Sequence, residues 1–314
     1  GHIRPGMFCV GGDSHSPTGG AFGAYMFGIG STEMLGVVVT GEIWLRVPHT
    51  LQMHWSGQLT AGVTAKDMML HVIGRFGMNG GQYQAVEFAG PAVQALGMQE
   101  RMTLSNMSAE LGAQAGLIAP DATTSDWLRA AGVPDADLEG LNAWHTDEGA
   151  DLTRHTFDAA TLTPQVAAPH SPANAAPVAQ HAGQGIDVAY IGACTGAKLD
   201  DLRAAASVLR GQRVAPGVRL MVAPASQRDQ AAAQAEGVLQ VLQDAGAELF
   251  PTTCGACAGY GDTVGDATNV ISSTARNFKG RMGSPTAQVY LASPYTVAAS
   301  ALRGCITDPR EVLA

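Results

Sequence analysis

The chain has 314 residues, enough for more than one domain and a sizeable core. Its 18 basic residues against 27 acidic ones give a formal charge of −9, which excludes a general nucleic-acid binder, since such a protein carries a basic stripe. Only 14% of residues are charged while 39 are glycine, so the chain reads as mostly buried and rich in close backbone approaches.

The chain opens on Gly1-His2-Ile3-Arg4-Pro5-Gly6 and enters a strand almost at once, the look of a fragment, a processed chain or one half of a split protein. Phe8 to Gly12 reads as that strand, and it runs into Asp13-Ser14-His15-Ser16 and the glycine-rich Thr18-Gly19-Gly20-Ala21-Phe22-Gly23. A helix is expected over Ser31 to Thr40. The longest apolar stretch, Ala21 to Leu45, is broken by Glu33, Glu42 and several glycines, so no membrane span is read there. Leu51, Met53 and Trp55 alternate with polar residues, as a strand does. Thr64-Ala65-Lys66-Asp67 is a helix-start signature, followed by an apolar stripe at Met69, Val72, Ile73 and Phe76. Val86 to Ala89 reads as a strand and Leu104 to Leu117 as a helix. On that helix Asn106 and Glu110 stand four apart on one face, either a functional pair or simply a solvated surface.

Pro164 to Gly185 is rich in proline and alanine with few apolar anchors, which predicts an extended surface linker. Strand and helix then alternate. Strands are expected at Asp187 to Gly192, Val218 to Ala223, Glu248 to Pro251 and Val289 to Ala292. Helices are expected at Leu199 to Leu209, from a Ser226 cap to Ala245, and at Tyr295 to Leu302. This alternation predicts a parallel sheet with helices on both faces.

Cys194 follows one strand and Cys254-Gly255-Ala256-Cys257 follows another, so both lie at strand carboxyl ends, where open α/β sheets build ligand crevices. A lone C-x-x-C fits zinc, a redox dithiol or neither. Three thiolates cannot close a tetrahedral four-ligand site, but they can hold three corners of a cubane cluster and leave the fourth iron open. A structural zinc site completed by a further ligand is the weaker reading; Cys9 and Cys305 are nominal candidates but read as buried structural thiols. An odd count of five cysteines points to a reducing cytoplasm with thiols kept available for metal.

Several separate stretches follow one another in order: Gly12 to Gly23, Gly62-Val63-Thr64-Ala65-Lys66-Asp67, Ser105 to Glu110, Ala119 to Thr124, Ile191-Gly192-Ala193-Cys194-Thr195, Cys254 to Cys257 and Arg276-Asn277-Phe278-Lys279-Gly280-Arg281. Together they resemble the aconitase and 3-isopropylmalate dehydratase large-subunit family. The resemblance implies consecutive three-layer α/β domains with mainly parallel sheets. Residues 1–48 would be a remnant of a first domain, 49–150 a second, 151–185 the linker region and 186–314 a third carrying the cysteines. It implies Cys194, Cys254 and Cys257 as ligands of a 4Fe-4S cluster with one open iron. It implies Asp13, Ser14 and His15 as an active-site trio, with Ser14 on a substrate carboxylate. Glu110 would pair with His15, and Asn106 would stand nearby. Arg276 and Arg281 would grip carboxylates, a task suited to the guanidinium fork.

The implied activity is that of a hydro-lyase acting on a small 2-hydroxy di- or tricarboxylate such as an isopropylmalate-like substrate. The open iron would grip the leaving hydroxyl and a carboxylate. A small swivel subunit and a separate N-terminal piece would complete the catalyst, because the family's leading segment and swivelling domain have no counterpart here. Ala193, Gly196, Ala197 and Ala275 stand where relatives commonly carry Ser or Asn, so the cluster surroundings read as stripped of polar groups. The alternative is a degenerate, non-catalytic subunit or metal-binding module. No nucleic-acid or membrane partner is expected, and the cytoplasm is the expected location.

Overall fold

The structure is a computed structural model and describes residues 1–313. The chain divides into two compact units. The first comprises Gly1–Gln58 with Met78–Ala160, and the second Leu59–Gly77 with the chain from Thr161 onward. Among the described residues no helix is long and apolar enough to cross a membrane.

In the first unit β1 (Phe8–Gly11) and β2 (Tyr25–Gly28) form a parallel pair. Strands β3 (Thr50–Ser56), β4 (Ala85–Ala89), β5 (Ala115–Ile118) and β6 (Leu152–Asp158) form a parallel sheet in the order β5-β4-β3-β6. Leu51, Met53 and Trp55 are buried as their alternation predicts, and Trp55 stacks on Phe157 at 4.5 Å. Gln52 is buried as well. Its amide donates to Glu87 at 3.1 Å and its oxygen accepts from Arg154 at 2.6 Å, so the polar face of β3 is satisfied across strands. The helix Ser31–Thr40 forms where expected but buries no residue; Val38, Val39, Val47 and Trp44, the last 89% exposed, leave an apolar surface.

The helix expected over Leu104 to Leu117 is a correction. It runs instead from Met98 to Met107, and tight turns follow to Gly112, which adopts a left-handed φ of 78°. Ser108 Oγ donates to the Ser105 carbonyl, and Gly116 passes so close that a Cβ there would lie 2.6 Å from Ser108 Oγ. Only glycines allow both the reversal and the approach.

The second unit holds β7 (Gln165–Ala167), β8 (Ala175–Pro177), β9 (Val188–Gly192), β10 (Arg219–Ala223), β11 (Ala247–Leu249), β12 (Asn269–Ser272) and β13 (Gln288–Ala292), in the order β11-β10-β9-β12-β13-β7-β8. Strands β9 to β13 are mutually parallel. β7 and β8 add antiparallel at the edge, so the proline-rich stretch is not an extended surface linker throughout. Val166 and Ala167 are fully buried there, and Pro177 sits on the edge strand, where its missing N–H costs no ladder bond. The helix expected from Ser226 to Ala245 is two, Gln227–Ala235 and Val238–Asp244, broken at left-handed Gly237. β12 is unanticipated; four residues, Asn-Val-Ile-Ser, carry too little pattern.

Residues on β9 alternate between two cores. Ala189 and Ile191 join a helix-lined cluster with Leu202, Leu239 and Val297, whereas Val188 and Tyr190 join Met221, Val270, Met282 and the loop residues Ala256 and Cys257. From β9 the sheet grows through β10 and β11 on one side and β12 and β13 on the other. The order therefore reverses between β9 and β12, the switch point at which parallel sheets open a crevice.

Candidate active site

In the first unit the turn after β1 is held by its own side chains. Asp13 Oδ1 accepts from the His15 amide at 2.7 Å, and the Asp13 carbonyl accepts from Ser16 Oγ at 2.7 Å. Thr18 Oγ1 donates to the His15 carbonyl at 2.6 Å and accepts from Asn106 Nδ2 at 2.9 Å. The 3-10 turn Ser16–Phe22 is seated against β5 so closely that a Cβ on Gly20 would lie 1.8 Å from the Gly116 carbonyl oxygen. His15 Nε2 stands 3.1 Å from Glu110 Oε1. Asn106 and Glu110 are each 1% exposed, so theirs is not a solvated helix face. Glu110 reaches His15 from the turn beyond the helix, and the four-residue spacing is not what aligns the two. Asp13 and Ser14 are exposed.

In the second unit Cys194 follows β9 directly, Cys254 and Cys257 follow β11, and Arg276 follows β12, all at carboxyl ends of parallel strands. Cys194 and Cys254 are exposed and Cys257 is buried; none of the five cysteines is in a disulfide. Burial pushes the Cys257 thiol up to about 11; Arg281 pulls it down, and Cys194 and Cys254 push it further up. Cys194 and Cys254 thus lie near enough to Cys257 to act on its thiol. Among the described residues no three His, Cys, Asp or Glu converge as ligands of one ion. A cubane assigns a separate iron to each thiolate and needs no such convergence, and an all-thiolate donor set is soft, as iron–sulfur clusters require. Arg281 Nε donates to the Cys257 carbonyl at 2.8 Å, and Arg276 is half-buried. Cys9 and Cys305, read as buried, are half-buried.

The Cys194 turn is braced from β12 rather than by its own side chains. Ser273 Oγ accepts from the Gly192 amide at 3.0 Å and donates to the Gly196 carbonyl at 2.9 Å. A Cβ on Gly196 would lie 2.3 Å from the Ser273 carbonyl oxygen, so this packing admits no side chain at 196. Buried Lys66 donates to the Ser273 carbonyl at 2.7 Å and to that of Thr274. Ala193 takes a left-handed φ of 67°, a strained position immediately before Cys194. Polar support thus exists, but from residues the sequence reading passed over. Ser273 and Lys66 gave no signal beyond a Ser-Ser-Thr run and a helix-start motif. Tyr190, also overlooked, is 1% exposed with an unpartnered hydroxyl. Its one signal was a polar tip within the otherwise apolar Val188-Ala189-Tyr190-Ile191.

The family model described as "Aconitase family (aconitate hydratase)" matches residues 1–304. The 3-isopropylmalate dehydratase large subunit 1 of Methanopyrus kandleri is 43% identical over 314 residues, covering 100% of this chain and 74% of the relative. The protein of the same description from Pyrococcus furiosus is 41% identical over 317 residues with the same coverage. A probable methanogen homoaconitase large subunit of Methanosarcina mazei is 42% identical over 313 residues, 99% of this chain and 78% of its own length. With the thiol-bearing parallel sheet and the His–Glu pair already in place, these matches settle the kinship: the chain belongs to the aconitase family.

Proposed function

We propose that this chain is the large-subunit portion of an iron–sulfur hydro-lyase that moves water on and off a small 2-hydroxy dicarboxylate of the isopropylmalate type. A small swivel subunit would complete it, as the words "large subunit" in its relatives' names support. The observation carrying the reading is the placement of three thiols, Cys194 after β9 and Cys254 and Cys257 after β11, at the carboxyl edge of one parallel sheet.

Cys194, Cys254 and Cys257 would hold a 4Fe-4S cluster, whose open iron supplies Lewis acidity toward the substrate hydroxyl and carboxylate. The chain's own groups do the rest. Arg276 and Arg281 bind carboxylate; Arg281 Nε donates to the Cys257 carbonyl, and its guanidinium also bears on the Cys257 thiol, which fixes its fork beside the thiols. Ser14, exposed on the turn that Asp13 shapes, binds a further carboxylate oxygen. His15 holds or passes a proton at Nε2, along its 3.1 Å line to Glu110, whose burial keeps water from competing for that line. Asn106 fixes the turn through Thr18. The His–Glu pair is carried by the first unit and the thiols and arginines by the second. Free thiols at the site suit a reducing compartment such as the cytoplasm.

Anaerobic reconstitution tests this. Iron and sulfide should bind stoichiometrically, and the electron paramagnetic resonance spectrum should change on adding isopropylmalate. Turnover of an unsaturated dicarboxylate should appear only with the small subunit present. Failure to bind iron would sink the reading; a cluster indifferent to every dicarboxylate would identify a degenerate, non-catalytic subunit instead.

A further inference from the structure

Tyr190 lies on β9 with its ring on the same face as Cys257 and Ala256, inside an apolar cluster that also holds Ala193, Met221, Ala223 and Met282. It bridges the two cysteine loops. A Cβ on Gly192, which opens the Cys194 turn, would lie 2.2 Å from the ring Cε1 and 2.5 Å from the hydroxyl. A Cβ on Gly255, between Cys254 and Cys257, would lie 3.5 Å from the same hydroxyl. Yet among the described residues that hydroxyl has no hydrogen-bond partner. The Cys257 amide faces it, but this N–H is donated to the Cys254 carbonyl at 3.0 Å.

A buried hydroxyl left without a partner is destabilising, a cost that phenylalanine would avoid in the same apolar volume. A ligand arriving between the loops would remove it. We propose that the Tyr190 hydroxyl donates a hydrogen bond to a sulfur of the bound cluster, a bridging sulfide or a cysteine thiolate, and thereby sets its reduction potential. The inference rests on the cluster reading above. Phenol is an O–H donor at neutral pH, and hydrogen bonds to cluster sulfurs stabilise the more negative, reduced state. Tyr190 thus supplies from the strand a donor that Ala193 and Gly196 on the Cys194 turn do not.

Tyr190→Phe keeps the ring and removes only the oxygen. Wild type and variant are reconstituted anaerobically, iron and sulfide are counted, and the cluster potential is titrated under electron paramagnetic resonance. The expected result is equal cluster content and about a tenfold smaller reduction constant in the variant, a 59 mV drop for one electron. In deuterium oxide the wild-type cluster should show an exchangeable proton coupling that the variant lacks. Equal potentials with the same proton coupling would overturn the proposal while leaving the cluster reading intact, and would assign the hydroxyl to a buried water. A wild type that takes up no iron would overturn both.

Discussion

Ser273→Ala isolates what holds the Cys194 turn in place. Ser273 is fully buried, and its single Oγ serves two backbone groups, accepting from Gly192 N–H at 3.0 Å and donating to Gly196 C=O at 2.9 Å. Alanine fills nearly the same volume, so little of the cost is lost packing. The cost lies in two buried backbone groups left unpaired, each about 1–3 kcal/mol. Water cannot easily replace the missing oxygen. The same contact is already so tight that a Cβ on Gly196 would lie 2.5 Å from Ser273 Cβ, and a site with no roomy polar cavity does not hold a water. Some backbone relaxation offsets the sum, and the net expectation is about 3 kcal/mol of lost stability. The assay is urea unfolding of the cluster-free chain followed by circular dichroism, with iron content measured after reconstitution. Ser31→Ala, at an exposed position on a helix that buries no residue, is the control and should change stability by less than about 0.5 kcal/mol. If Ser273→Ala unfolds within about 0.5 kcal/mol of the parent and binds iron equally well, the serine does not brace the turn and the reasoning fails.

Two further perturbations probe the other supports. Gly20→Ala would push a Cβ to 1.8 Å from the Gly116 carbonyl oxygen, a backbone clash that cannot be relieved by a side-chain rotation. It should cost at least about 1–3 kcal/mol and lower turnover more than the unfolding midpoint implies, because the turn carrying His15 must shift; a silent variant would contradict the close seating. Asp67 is fully enclosed, and burial pushes its carboxyl up to about 6, against opposing hydrogen bonds from Gln165 and Thr64 and the charge of Lys66. The folded form thus binds this proton more tightly than the unfolded form. The ionised group's penalty is full above pH about 6, shrinks as pH falls through that value and is gone below about 4. Relative to Asp67→Asn, the parent chain should gain about 3 kcal/mol of stability between pH 7 and pH 4. A pH-independent difference in urea midpoints would show that Asp67 does not titrate there.

Those perturbations fall on contacts the sequence did not display, while much of the fold was legible. Helices at Ser31–Thr40 and Leu199–Leu209 start and stop where composition and periodicity place them. The Thr64 cap forms with Asp67 Oδ2 accepting from the Thr64 amide at 2.8 Å, because a capping box is a local device of four residues. Legibility ended where tertiary contacts overrode local pattern. Residues 108–112 look helical by composition but turn because Gly112 reverses the chain and Gly116 needs close approach. β7 and β8 lack apolar length, yet they complete a sheet edge whose pairing partner, β13, lies more than a hundred residues later. Among the residues of the proposed site, the cysteines, the Asp-Ser-His turn and the arginines could be picked out by residue type and resemblance. Tyr190, Ser273 and Lys66 could not, since their roles are defined only by what the fold brings beside them.

Lys66 shows how much of the arrangement depends on chain topology. It belongs to a segment, Leu59–Gly77, that interrupts the first unit's sequence yet packs with the second. A buried ammonium costs several kcal/mol unless its donors are taken up. Here they are, by the Ser273 and Thr274 carbonyls just beyond β12. Those two residues immediately precede Ala275 and Arg276, and Ser273 also holds the Cys194 turn through its hydroxyl. One lysine therefore ties the start of a helix to the point from which both an arginine loop and a cysteine turn are hung. The crevice at the β9–β12 switch point then owes its shape to a residue more than 120 positions before either strand. A change in the seating of helix Ala65–Phe76 would reach the Cys194 turn through the Lys66 and Ser273 hydrogen bonds.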